Sequence, residues 1–363
     1  MPTILERIHG VEAAAAIANS MGDVTEGLTY EAIEAKYGLL QELLPQERTE
    51  RIRRQPSGPD FHYKAHHRPA GMTEDGMERH RLMCTAIIEK CGRVSAEDVA
   101  RIWVRDIDPD KFGYLIGPQD QVIYYCLKAG VPPWEVGRHA AWPGFIGTAK
   151  MMLPVACVNA GNPEQAARDA HDVGRLKDAR GVPGNYALEV GAAIAAGAAD
   201  AFRPQATVGS AIETALAQLS ERPRAEVQQG LDWTEKHSDW RALRPLYQEK
   251  YDGQPGSNAV EVVSSALAVF RLVEGDPREA IIASVNFGRD CDCRAYVAAG
   301  LSAAIHGIDA LPSDWVQTIE DELPSDPYTV SRRSLRETAE GLHRALMNEL
   351  ERSKRQIAEV EGA

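Results

Sequence analysis

Two carboxylates stand two residues apart in Gly288-Arg289-Asp290-Cys291-Asp292-Cys293, each followed by a thiol, between stretches of mostly small or apolar residues. Acids in such surroundings need a partner, usually a cation, because burial otherwise raises their pKa or expels them. The plainer alternative is a surface helix cap, but an acid near a helix start gains only ~0.3–1 kcal/mol. That does not account for two acids and two thiols between nearly apolar helices. A second stretch, Thr73-Glu74-Asp75-Gly76, sets a hydroxyl beside two adjacent acids and offers oxygens to a hard cation. Its plainer alternative is capping, with Thr73 as N-cap and the acids in the first turn. A third stretch, Ala18 to Gly27, places Asn19 and Glu26 directly after an apolar helix, where Glu26 alternatively caps the helix that begins near Thr29.

These groups have to be positioned by helices. Residues 5 to 20 read as a buried helix, and apolar positions at helical spacing recur over 77–87, 95–104, 185–201 and 258–273. Pro277 opens a helix leading to the Gly288 loop, and Ala295, Ala298, Ala299, Ser302 and Ala303 form a slim helix leaving it, which lets neighbours approach closely. Gly144 to Pro154 gives a close-packed turn into a helix that Pro154 is expected to kink. Two excursions, 46–70 and 222–257, read as irregular and suit the walls of a pocket. A charged amphipathic helix over 334–361 ends the chain, with Leu335, Leu342, Leu346, Leu350 and Ile357 on its apolar face. Nothing marks a second domain, so 1–363 is expected to be one all-α domain.

Composition narrows the function. The 363 residues include 30 glycines, and only 6% are aromatic, which suits Ala- and Gly-rich helix packing. A formal charge of −13 argues against a nucleic-acid backbone binder. No window reaches the ~20 apolar residues of a membrane span. Six cysteines lie scattered without a close CxxC pair, and the start of the chain lacks a signal-peptide pattern, so a cytoplasmic location is expected.

Val285-Asn286-Phe287-Gly288-Arg289-Asp290-Cys291-Asp292-Cys293 resembles the V-N-x-G-G-D-T-D-T of the ADP-ribosylglycohydrolase family. Ile17 to Gly27, Thr73 to Gly76 and Gly147 to Pro154 are similar to three further family segments, in the same order, and the likeness spans about 5–320. The resemblance implies a compact, orthogonal multi-helix fold and a centre of one or two Mg2+ ions, with Mn2+ as the alternative. It places Thr73, Glu74, Asp75, Asp290, Asp292 and Cys293 at the metal and Glu26 near the scissile bond. It assigns catalysis to Glu26, Asp75 and Asp292, and ligand contacts to Asn19, Gly147, Met151, Gly288 and Arg289. Several positions depart from the family pattern: Asn19 replaces an Asp, Glu74 is one methylene longer, Gly76 lacks a hydroxyl and Cys293 stands for a threonine. Met151 replaces an arginine, and Arg289 replaces a glycine, where it either meets an anionic ligand group or pairs with a nearby acid.

The implied activity is metal-dependent hydrolysis at the ribose anomeric carbon of an ADP-ribosyl conjugate. The alternatives are an N-glycosidase for a small nucleoside or nucleotide, and a catalytically weak protein that binds ADP-ribose or a nucleotide. The expected partner is the ADP-ribosylated substrate or a nucleoside-type ligand, not a membrane or nucleic acid. Homo-oligomerisation is left open.

Overall fold

A computed structural model describes residues 2–47, 67–111, 117–179 and 181–362. Among these, the chain is all-α apart from a two-residue antiparallel pairing of β1 (Gln46–Glu47) with β2 (His67–Arg68). The first half comprises α1 (Ile4–Asp23), α2 (Tyr30–Tyr37), α3 (Asp75–Lys90), α4 (Ala96–Asp106), α5 (Pro118–Lys128), α6 (Pro133–Val136), α7 (Met152–Val158) and α8 (Pro163–Gly174). The second half comprises α9 (Ala187–Ala201), α10 (Val208–Leu216), α11 (Glu221–Lys236), α12 (Leu243–Lys250), α13 (Ala259–Leu272), α14 (Pro277–Val285), α15 (Cys291–His306), α16 (Ser313–Glu322) and α17 (Leu335–Glu361).

The core is built around α1 and α15, which lie along each other and are buried over nearly their whole length. Helices that are small and apolar on every side have no face to offer water and become the centre of the packing. Around α15 lie α14, α13 and α9, while α17 covers α1 and α3. The approach of α1 to α15 needs a glycine, because a Cβ on Gly22 would lie 2.4 Å from the Asp292 Cα. The helix pair therefore brings the end of α1 directly onto the first acid-bearing turn of α15.

Three expectations change. The stretch 222–257 is not irregular: α11 and α12 occupy most of it, with Trp240, Tyr247 and Tyr251 buried. Pro154 does not kink a helix. It sits in the first turn of α7, after a 3₁₀ turn over Ile146–Met151, where a missing N–H leaves no bond unmade. Thr73 is not the cap of α3: Glu74 is, its carboxylate accepting from the Gly76 N–H. Most of the 46–70 excursion lies outside the described residues.

Candidate active site

Four pieces of chain converge on one acid cluster: the end of α1, the 24–28 loop, the start of α3 and the start of α15. Asn19, fully buried on α1, ties two of them together. Its Nδ2 donates to Glu74 Oε1 (2.5 Å) and to Asp292 Oδ2 (3.2 Å), and its Oδ1 accepts from the Glu74 N–H (2.8 Å). An aspartate at this position could make neither donation.

The Gly288 loop is laced to the 24–28 loop through Arg289 N–H to Leu28 O (2.8 Å) and Gly27 N–H to Arg289 O (2.7 Å). Beneath it, buried Arg294 donates to the Gly288 carbonyl (2.8 Å) and to Ser265 Oγ (2.7 Å). This lacing sets half-buried Glu26 close enough for its charge to act on Asp290. Asp290 is the N-cap of α15, its Oδ1 accepting from the Cys293 N–H (3.2 Å). Its other oxygen, Oδ2, is buried with no hydrogen-bond partner among the described residues. The cap thus uses only one of the two oxygens of this carboxylate. Burial first, then Asp292 and Glu26, push the Asp290 pKa well above the usual carboxylate range. Burial, Asp75, Asp292 and Asp23 do the same to Glu74. The cluster thus carries more negative charge than its buried surroundings support.

Ligand-type atoms of Asp290, Asp292 and Cys293 all lie within 4.8 Å of one another. Asp290 Oδ2 fits a hard cation, being an orphaned oxygen in a buried acid cluster. Cys293 fits it less well: burial, Asp290 and Asp292 push the thiol's pKa up, and sulfur is a poor ligand for magnesium. Thr73 Oγ1 accepts from Arg81 Nη1 (2.9 Å), which also reaches Glu78 and Thr329. Asp75, partly exposed, accepts from Arg79 Nη2 at 2.5 Å.

The remaining sequence-predicted residues have other surroundings. Gly147 lies beside Lys177 and Gln119, while Met151 is wholly buried in the core. Gly288 takes a positive φ of 94° against the Tyr30 backbone. Arg289 follows at φ 64°, a left-handed conformation that an arginine adopts only under constraint. Its guanidinium pairs with Glu261 at 2.5 and 2.9 Å and donates to the carbonyls of Gln254 and Pro255. Of the two expectations for Arg289, the nearby acid is what this structure shows.

Sequence reasoning missed several charged residues here. Lys150, on the 3₁₀ turn before α7 and 1% exposed, donates to Asp292 Oδ2 at 2.6 Å. Arg79 joins Asp75 to buried Asp120, and Lys177 caps that chain from the far side. A lysine inside the otherwise apolar run 146–158 was the available signal, because a buried ammonium requires a partner.

A second acid–thiol group, Glu12, His80 and Cys84, is also buried with its ligand-type atoms within 4.8 Å. Here the bonding is complete. His80 Nε2 meets Glu12 Oε2 (2.9 Å), His80 Nδ1 meets Tyr296 Oη (2.9 Å), and Tyr296 Oη donates to the Lys150 carbonyl (2.9 Å). The group closes on itself and holds up the turn that carries Lys150.

A model of the ADP-ribosylglycohydrolase family matches residues 1–355, and the chain belongs to that family. No curated protein matches it. A solved structure described as an "ADP-ribosylglycohydrolase-related protein complex" shares the fold, with a TM-score of 0.66 at 18% identity, covering 95% of this chain and 100% of that one. Family membership and the buried acid–thiol clusters support a metal-dependent hydrolase of that superfamily. Among the described residues, no helix is long and apolar enough to cross a membrane.

Proposed function

We propose that the chain hydrolyses a glycosidic bond at the ribose anomeric carbon of an ADP-ribosyl conjugate. The observation that carries this reading is the junction at Asn19, where acids from the two ends of the sequence are drawn into one buried cluster with an orphaned oxygen. Asp290 and Asp292 would hold a Mg2+ or Mn2+ ion, with Asp75 and Glu74 on the facing helix end. When bound, such an ion polarises ribose hydroxyls and lowers the pKa of water. Glu26, on its loop beside Asp290, orients the attacking water and accepts its proton. The carboxylates of Asp75 and Asp292 stabilise the positive charge that develops on the sugar ring as the leaving group departs. Arg79 fixes Asp75, and Lys150 fixes Asp292, so neither acid has to be ordered during the reaction. Cys293 borders this centre, while Thr73 is engaged by Arg81.

A second reading, an N-glycosidase for a small nucleoside, is favoured by one feature. The 254–256 turn packs over the Gly288–Asp290 loop and is tied to it by Arg289, which narrows access to Asp290. Six free cysteines support a reducing compartment such as the cytoplasm. Incubation with ADP-ribosyl-arginine, ADP-ribosyl-serine and a panel of nucleosides, with and without Mg2+ or Mn2+, decides by mass of the products. Release of ADP-ribose supports the first reading, and a free base with ribose supports the second. No metal-dependent product from any of them rejects both.

A further inference from the structure

The Lys150 ammonium is buried against the acid cluster. It bonds Asp292 Oδ2 at 2.6 Å and sits against the backbone of Gly76 at the start of α3. A Cβ on Gly76 would lie 2.7 Å from Lys150 Nζ and 3.1 Å from Asn19 Nδ2, so the missing side chain at 76 is what makes room for the ammonium. The lysine is also held from behind. Tyr296 Oη bonds its carbonyl (2.9 Å), and the Tyr296 ring lies 5.1 Å from Nζ, within reach of a cation–π contact.

We propose that Lys150 is a resident cation standing in for one ion of a two-metal centre, so that this chain binds a single divalent ion, beside Asp290. The inference rests on the reading of the cluster as a metal-assisted site. Three observations on this chain agree with it. Asp292 spends Oδ2 on Lys150 and Asn19. Asn19 is neutral where the family pattern has an acid, which removes one charge from the same side of the cluster. Asp290 Oδ2, on the other side, keeps no hydrogen-bond partner among the described residues. The Oδ2 atom of Asp292 is therefore already met by a cation of the chain itself, whereas Oδ2 of Asp290 is not. Two divalent ions and an ammonium among these acids would repel one another at contact distances.

The test is Mn2+ binding by the full-length chain, read by equilibrium dialysis with elemental analysis and by electron paramagnetic resonance. We expect one Mn2+ per wild-type chain with an uncoupled spectrum. Lys150→Met, nearly the same length without the charge, should take up a second Mn2+ and show a spin-coupled pair. Lys150→Gln, which retains a donor for Asp292, should do the same and serves if the methionine variant does not fold. Lys150→Arg should stay at one. Two coupled ions in the wild type overturn the proposal and leave the metal-assisted reading intact. One ion in the wild type and in both neutral variants also overturns it, because the lysine then excludes nothing. Failure of the wild type to bind any Mn2+ sinks this proposal and the metal-assisted reading together.

Discussion

Two sets of buried charge meet at the start of α3, and they are balanced differently. On one side Asp75 and Asp120 face Arg79 and Lys177, two acids to two cations, with Asp120 accepting from Arg79 at 2.6 and 2.9 Å and from Lys177. On the other, Glu74, Asp290 and Asp292 have one ammonium among them, Lys150 on Asp292, and the Asn19 amide joins Glu74 to Asp292. Asp75 belongs to both, held by Arg79 while its charge acts on Glu74. A balanced set needs nothing from outside and acts as framework. A set with surplus negative charge has a place for a cation that the chain does not supply.

The contrast breaks if the balanced set can be disturbed freely. Asp120→Asn would leave Arg79 and Lys177 buried without their shared carboxylate, and we expect a loss of about 3–5 kcal/mol in urea denaturation. Mn2+ stoichiometry of the folded fraction should not change. A loss below about 1 kcal/mol would mean that this set does not hold the framework.

The opposite pattern is expected of Asp292→Asn. Its turnover on the substrate found in the panel should drop by roughly several hundredfold or more, the scale set by removing one preorganised electrostatic group from an active site. Persistence of turnover at unaltered metal content would remove Asp292 from the chemistry. Gly22→Ala joins the two effects at a smaller scale. The new methyl would meet the Asp292 backbone, so α1 and α15 must part, at about 1–3 kcal/mol for overpacking. Because Asp292 moves with α15, Mn2+ should bind more weakly too. Stability loss with unchanged Mn2+ affinity would uncouple the helix contact from the site.

Legibility in the sequence follows the same division. The slim helices α1 and α15 could be read because small residues at nearly every position leave no polar face, and the acids between them stood out against that background. The balanced set was invisible. Arg79 and Asp120 come together over 41 positions, and nothing local marks either as buried. Lys150 meets its partner 142 positions away. It lies on a 3₁₀ turn, where helical spacing gives no guide to the direction of a side chain. The helices α11 and α12 were hidden for another reason. Their sequence is mostly polar, and Pro223 looks like a breaker although it sits harmlessly in a first turn. The family resemblance supplied which acids to group, but not that a lysine of this chain lies among them.

Lys177 offers the finest test of the balanced set. Burial pushes its pKa down to about 8, Arg79 adds to the shift, and Asp120 opposes it. Below about 8 the lysine is protonated in the folded and unfolded chains alike, and its burial penalty is fully present. Between about 8 and the ordinary value of 10.5 the unfolded chain still holds a proton that the folded chain has released. The unfolded state then binds more protons, so this group's contribution to stability rises with pH. Thiols and tyrosines elsewhere titrate in the same range, so the quantity to follow is the difference between wild type and Lys177→Met. That difference should move in the wild type's favour by about 1–2 kcal/mol from about pH 7.5 to 9.5. A flat difference would show that Asp120 compensates the lysine fully. The balanced set would then be matched more tightly than burial and the neighbouring Arg79 allow.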